Sequence, residues 1–165
     1  MSAYGPSLVP LAVALDLDVE DKIALLRVAA RMVGQSCRID AQPIFRALHR
    51  REQAGSTAIG EGLAIPHARV TGIDRPVTLF IRLKVPIRFD APDGKPVSEI
   101  LVMLVPLGGA PEAQLQLLRA VAQRFSAPAF RAPLAAAADA AAVAAVFERW
   151  DRRPDREIEA LPDAV

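Results

Sequence analysis

The sequence is poor in sulfur and imidazole, and it lacks any long apolar stretch. It has one cysteine, Cys37, in 165 residues. That excludes an internal disulfide. With no Cys/His spacing of the zinc-ligating kind, a reducing cytoplasmic compartment and no metal are expected. No apolar run approaches the roughly 20 residues that a membrane-spanning helix needs, so membrane insertion is not expected. The opening stretch "MSAYGPSLVPLAVALDLDVEDK" has no basic leader, and Asp16 and Asp18 follow its brief apolar run, so no signal peptide is read. Net charge is also scarce, at +1. No bulk field therefore selects nucleic acid or an acidic membrane surface. Arg27, Arg31, Arg38 and Arg46 are interleaved with acids at helical spacing, which reads as a solvated face and not a phosphate-backbone track. No repeat recurs at a fixed period. Gly60-Glu61-Gly62 lacks the Lys-Ser/Thr of a nucleotide-binding P-loop, so no cofactor is expected.

The length fits one domain with a sizeable core. Helical and extended patterns alternate along it. An extended N-terminal segment, "PSLVPLAVAL", ends near Leu15. Asp18 is placed to cap a helix from about Val19 to Val33, with Ile23, Leu26, Ala30 and Val33 on one face and Gly34 as its stop. Asp40 is placed to cap a second helix to about Glu52, with Ile44, Phe45 and Leu48 turned inward. A short strand, "LAI", lies in a glycine-rich stretch. "PVTLFIRLKVPI", from near Val77, has the β-branched and aromatic content of a strand. "APDGKPV" is a turn by composition. "VSEILVMLVP" is the most apolar run and reads as a buried central strand. A third helix spans about Pro111 to Phe125, with Leu115, Leu118, Val121 and Ala122 on one face. Pro128 and Pro133 punctuate the next segment, and "AAAADAAAVAAVFERW" is a last helix anchored by Val143, Val146, Phe147 and Trp150. The pattern predicts an α/β fold: a single domain over residues 1–150, with a mixed β-sheet flanked by helices. Residues 151–165, charged and carrying two prolines, are expected to fray.

Chemistry concentrates in "REQAGSTAIGEGLAIPHARV", Arg51 to Val70. Gly55, Gly60 and Gly62 permit positive φ and close backbone approach. Ser56 and Thr57 add hydroxyl donors, and successive main-chain N–H groups in such a stretch can form an anion-binding concavity. Pro66 fixes the backbone before His67. Arg51 and Arg69 are the nearest fixed positive charges in sequence, and a guanidinium suits a phosphoryl dianion through paired hydrogen bonds. This set suits a nucleophilic histidine whose neutral nitrogen attacks phosphorus while donors steady the oxygens. Plainer readings exist for each part. A lone histidine is more often structural, the glycines could be turn residues, Ser56 and Thr57 could be backbone caps, and Arg69 could be a solvated charge. His49, mid-helix, reads as incidental, and Cys37 as a plain small side chain.

At these residues the chain resembles the enzyme IIA domains of the bacterial phosphoenolpyruvate phosphotransferase system, in their mannitol/fructose-type superfamily. It is most similar to the freestanding nitrogen-regulatory kind, and the likeness covers about Leu8 to Trp150 in element order. The resemblance implies that His67 is phosphorylated by an HPr-like phosphocarrier protein and that Arg51 lies beside it. It also implies a mixed sheet flanked by helices. One position departs from the pattern. Where the family has His-Leu-x-x-Leu at the start of the helix after the central strand, this chain has Gln114. An amide can donate to a phosphoryl oxygen but cannot become cationic. Acceptance of phosphate is expected to survive and onward transfer to weaken, which favours a regulator over a sugar-transport component that feeds an enzyme IIB domain. A third reading is an interaction module that has lost phosphorylation, and the intact Pro66-His67 with Arg51 argues against it.

Overall fold

The structure is a computed structural model, and it describes residues 7–152. Eleven elements follow one another: β1 (Ala12–Leu17), α1 (Lys22–Cys37), α2 (Ala41–Gln53), β2 (Ala58–Gly60), β3 (Leu63–Ala64), β4 (His67–Val70), β5 (Val77–Ile87), β6 (Val97–Pro106), α3 (Pro111–Ser126), α4 (Pro128–Ala136) and α5 (Ala140–Asp151). The strands form one six-stranded sheet in the order β1-β5-β6-β3-β2, with β4 also pairing with β6. β5 and β6 are antiparallel, while β1, β3 and β4 each join a neighbour in parallel, so the sheet is mixed, as the alternating pattern predicts. The apolar run at 97–106 is its central strand: Ile100 to Val105 are all buried, because helices cover both faces.

Two separate cores lie on the two faces. Leu25, Leu26, Ala29, Ala30 and Val33 of α1, with Ile44 and Leu48 of α2, pack on Ile81, Ile100, Val102 and Leu104. Val121 and Phe125 of α3, Phe130 and Leu134 of α4, and Val143, Val146 and Phe147 of α5 pack on Ile65, Phe80, Leu101 and Met103. The second core is held by edge-to-face aromatic pairs. Phe130 meets Phe147 at 5.0 Å and 89°, and Phe80 meets Phe125 at 6.4 Å and 84°. Each such pair contributes about 1 kcal/mol beyond its area burial.

Several boundaries differ from the sequence expectation. α1 is capped by Asp21, not Asp18, and runs through Gly34 to Cys37, ending at Arg38 in the left-handed conformation (φ 57). Gly34 is inside the helix because a Cβ there would lie 2.9 Å from the Ile39 carbonyl oxygen and 3.2 Å from the Ala41 Cβ; it lets the start of α2 cross close to α1. Ile23 and Leu115, expected in the core, are 43% and 49% exposed. Ile23 is in the first turn of α1 and Leu115 in the second turn of α3, where the apolar stripe begins before the packing does. Residues 128–136 form a helix of their own, with Pro128 in its first turn and Pro133 inside. The last helix starts at Ala140, because Asp139 accepts the Ala142 N–H and caps it there. It ends on Asp151, which accepts from Ser7 Oγ at 2.9 Å and from the Leu8 N–H at 3.0 Å. Most of the stretch expected to fray, residues 153–165, lies outside the described residues.

Candidate functional site: a histidine held at both nitrogens

The Arg51–Val70 segment folds as the end of α2, the hairpin β2–β3 and the short strand β4. Within β4, Ala68 and Val70 are buried in the α1–α2 core, so the alternating His67 and Arg69 turn to the other face. His67 stands opposite Met103 of β6. Its ring is half-buried, and both nitrogens are engaged. Nδ1 lies 2.8 Å from the Ile65 carbonyl oxygen, and Arg51 Nε donates to Nε2 at 3.2 Å. A carbonyl can only accept and a guanidinium can only donate. The proton is therefore on Nδ1, and the lone pair is on Nε2. Pro66 makes the Nδ1 bond possible by fixing φ between Ile65 and His67, while its own carbonyl accepts the Met103 N–H at 2.9 Å.

Electrostatics keep the ring neutral. The His67 pKa is pushed below its usual value, first by burial and then by the Arg51 guanidinium, against the pull of the Ile65 carbonyl and the Glu52 carboxylate. A neutral imidazole with a fixed lone pair is the nucleophilic form.

Arg51 is in the last turn of α2, where a cation also complements the helix dipole. Besides its bond to His67, it donates from Nη1 to the Gly55 carbonyl at 2.8 Å. The neighbouring Glu52, which sequence reasoning did not single out, is buried at 5% exposure. It accepts from the Thr57 N–H at 3.2 Å and from Thr57 Oγ1 at 2.6 Å, and Lys22 Nζ lies 3.5 Å away. A signal for it exists in the sequence. Ile44, Leu48 and Glu52 recur every four residues, so the acid falls on the buried stripe of α2.

The other residues read from the motif are placed differently. Ser56 Oγ donates to the Phe89 carbonyl and Thr57 Oγ1 to Glu52, so both hydroxyls are committed within the fold. Gly60 (φ 91) and Gly62 (φ 78) flank Glu61 in the tip of the β2–β3 hairpin, where Asp93 accepts the Glu61 N–H. Leu63 pairs with Glu99 and His67 with Met103, so the tip is four residues along β6 from the histidine, about 13 Å. These two glycines shape a turn and do not border the ring. Arg69 Nη2 donates to the Leu107 and Gly109 carbonyls at 2.7 and 3.0 Å. Gln114, in the first turns of α3, donates from Nε2 to the Pro106 carbonyl at 2.9 Å and makes no hydrogen bond to His67. Arg69 and Gln114 thus both brace the 106–109 connection. His49 is half-buried and stacks on Phe45, one turn earlier in α2, at 5.4 Å between ring centres.

Among the described residues no group of three or more His, Cys, Asp or Glu side chains could hold a metal ion. No helix among them is long and apolar enough to cross a membrane.

Comparison with known proteins agrees with this geometry. The family model described as phosphoenolpyruvate-dependent sugar phosphotransferase system, EIIA 2, matches residues 8–150. The nitrogen regulatory protein of Pseudomonas aeruginosa is 43% identical over 101 residues, 61% of this chain and 65% of that protein, so the match spans just under two thirds of the relative's length. The nitrogen regulatory protein of Bradyrhizobium diazoefficiens is 31% identical over 138 residues, 84% of this chain and 90% of that protein. Nitrogen regulatory protein IIA-Ntr from Neisseria meningitidis, a crystal structure, has a TM-score of 0.74 at 36% identity, covering 84% of this chain and 94% of that one. A neutral histidine flanked by an arginine, set on this sheet and matched from end to end of the described domain, leaves one assignment: the chain belongs to the type 2 enzyme IIA family of the phosphoenolpyruvate-dependent phosphotransferase system.

Proposed function

We propose that the protein is a phosphoryl-carrier regulator of the phosphotransferase system, phosphorylated on His67 by an HPr-like phosphocarrier and binding its targets according to its phosphorylation state. The observation that carries this reading is the pair of contacts at His67, Nδ1 to the Ile65 carbonyl and Nε2 to Arg51, which leaves the lone pair on Nε2. In the reaction Nε2 attacks the phosphorus of the phosphorylated carrier. The bond from phosphorus to the carrier breaks, and its electron pair returns to the carrier. The proton stays on Nδ1, where the Ile65 carbonyl accepts it as the ring takes on positive charge. Arg51 gives up its bond to Nε2 and turns its donors to the phosphoryl oxygens. A phosphoryl dianion then stands beside Arg51 where only a ring nitrogen stood, and this added negative charge is the physical switch for a binding partner.

Gln114 supports the regulatory side of this reading. Its amide is tied to Pro106 and carries no charge that could balance phosphoryl transfer out of His67. The family's description as a sugar phosphotransferase system favours a second reading, transfer to an enzyme IIB domain. Incubation with phosphoenolpyruvate, enzyme I and the phosphocarrier tests the proposal. An acid-labile, base-stable mass increase is expected, and its absence would sink it. Fast onward transfer to a sugar-specific IIB domain would promote the second reading.

A further inference from the structure

Two hydrogen-bonded chains lead from the two nitrogens of His67 back to one buried group. From Nδ1, the Ile65 carbonyl accepts the ring proton at 2.8 Å, and the Ile65 N–H in turn donates to the Thr57 carbonyl at 3.0 Å. From Nε2, Arg51 leads through its Nη1 to the Gly55 carbonyl at 2.8 Å, two residues before Thr57. Both chains therefore meet in the segment 55–57. That segment is pinned by Glu52. Its two oxygens accept the Thr57 N–H, at 3.2 Å each, and Oε2 also accepts the Thr57 hydroxyl at 2.6 Å. Lys22 of α1 steadies the carboxylate from the far side and also pairs with Asp90 at 2.7 Å, next to the Phe89 carbonyl that takes the Ser56 hydroxyl.

We infer that Glu52 is the positioning residue of this site: a single buried carboxylate fixes the tautomer of His67 and the aim of Arg51 by gripping Thr57. The inference rests on His67 being the reacting group. Glu52 touches neither the ring nor a phosphoryl group; it holds the site through Thr57, and its charge reaches the ring only across space. A carboxylate suits the task because each of its oxygens can accept, so it holds the backbone and side-chain donors of Thr57 together. A glutamine offers one accepting oxygen and turns an N–H toward donors. A burial this complete would otherwise favour an apolar residue at the Ile44-Leu48-Glu52 spacing.

The test uses Glu52→Gln, Thr57→Val and Thr57→Ser. Nitrogen-15 NMR of the histidine rings reads the tautomer without any phosphoryl donor, and single-turnover labelling by the phosphocarrier reads the reaction. Wild type and Thr57→Ser, which keeps the hydroxyl donor, should show one neutral form with the proton on Nδ1. Glu52→Gln and Thr57→Val should show mixed tautomers at His67. Their labelling should slow about tenfold or more, with the concentration dependence on the carrier unchanged. A merely structural Glu52 would lower the melting temperature and leave the ring signals of the folded protein as they are; that result overturns the inference. If Glu52→Gln does not fold, Thr57→Val, which removes a single hydroxyl from the grip, decides alone. The two readings separate cleanly. An unlabelled wild type whose tautomer is lost in Glu52→Gln keeps the positioning role and removes the phosphoryl one. A labelled wild type whose tautomer survives the substitution does the reverse.

Discussion

The two flanks of His67 differ in kind. On the α2 flank, Arg51 and the Ile65 carbonyl both reach the ring, and behind them Glu52 and Thr57 hold the arrangement in place. On the α3 flank, Arg69 and Gln114 turn away to the Pro106, Leu107 and Gly109 carbonyls. One flank is organised around the histidine, with Nδ1 tied to the Ile65 carbonyl and Nε2 facing Arg51. The other braces the connection from β6 to α3 and presents no cation to the ring. A site built for acceptance needs the first flank; efficient delivery calls for charge on the second as well.

The largest effect is expected at the histidine itself. His67→Ala should abolish labelling by the phosphocarrier, and His49→Ala should leave it intact; labelled His67→Ala protein would overturn the assignment. Next comes the organised flank. Arg51→Ala should slow labelling by about a hundredfold, the scale of removing one preorganised donor. Arg51→Lys should recover only part of that, because an ammonium keeps the charge and loses the planar fork. Wild-type rates in both variants would make Arg51 structural.

The other flank offers a smaller effect. Gln114→His introduces a group that titrates near neutral pH. With a IIB acceptor present, decay of phospho-His67 should quicken several-fold below about pH 6.5, where that side chain is protonated, and little above it. Equal decay across the pH series would mean that the partner surface decides transfer. The smallest effect is the titration of His67. Burial and Arg51 disfavour the imidazolium, so the ring gives up its proton at lower pH than a free histidine. Its NMR midpoint should lie below about 6.5, and Arg51→Ala should raise it. The neutral form is half the population at that midpoint and predominates above it. A midpoint above the ordinary value would remove the electrostatic part of the account.

The order of the main elements, the mixed sheet and the central strand 97–106 are legible in the chain, because apolar periodicity and β-branched content are local causes. Arg51 beside the Pro66-His67 corner was legible only through the family resemblance of the motif; chain distance favours Arg69, which turns away. The chain alone did not show where helices gain cover, so Ile23 and Leu115 read as core though they lie in the uncovered N-terminal parts of α1 and α3. Nor did it decide which glycines border the histidine. Gly60 and Gly62 belong to the motif but sit at the hairpin tip, because the β3–β6 and β4–β6 registers spread residues 63–70 along one strand. The role of Glu52 was half legible: its place on the α2 stripe is in the sequence, while its partners Thr57 and Lys22 are not. That the contacts of both ring nitrogens run back to the segment 55–57, which this carboxylate grips, follows only from the tertiary structure, because α1, α2, the loop and β4 meet only when the sheet is formed.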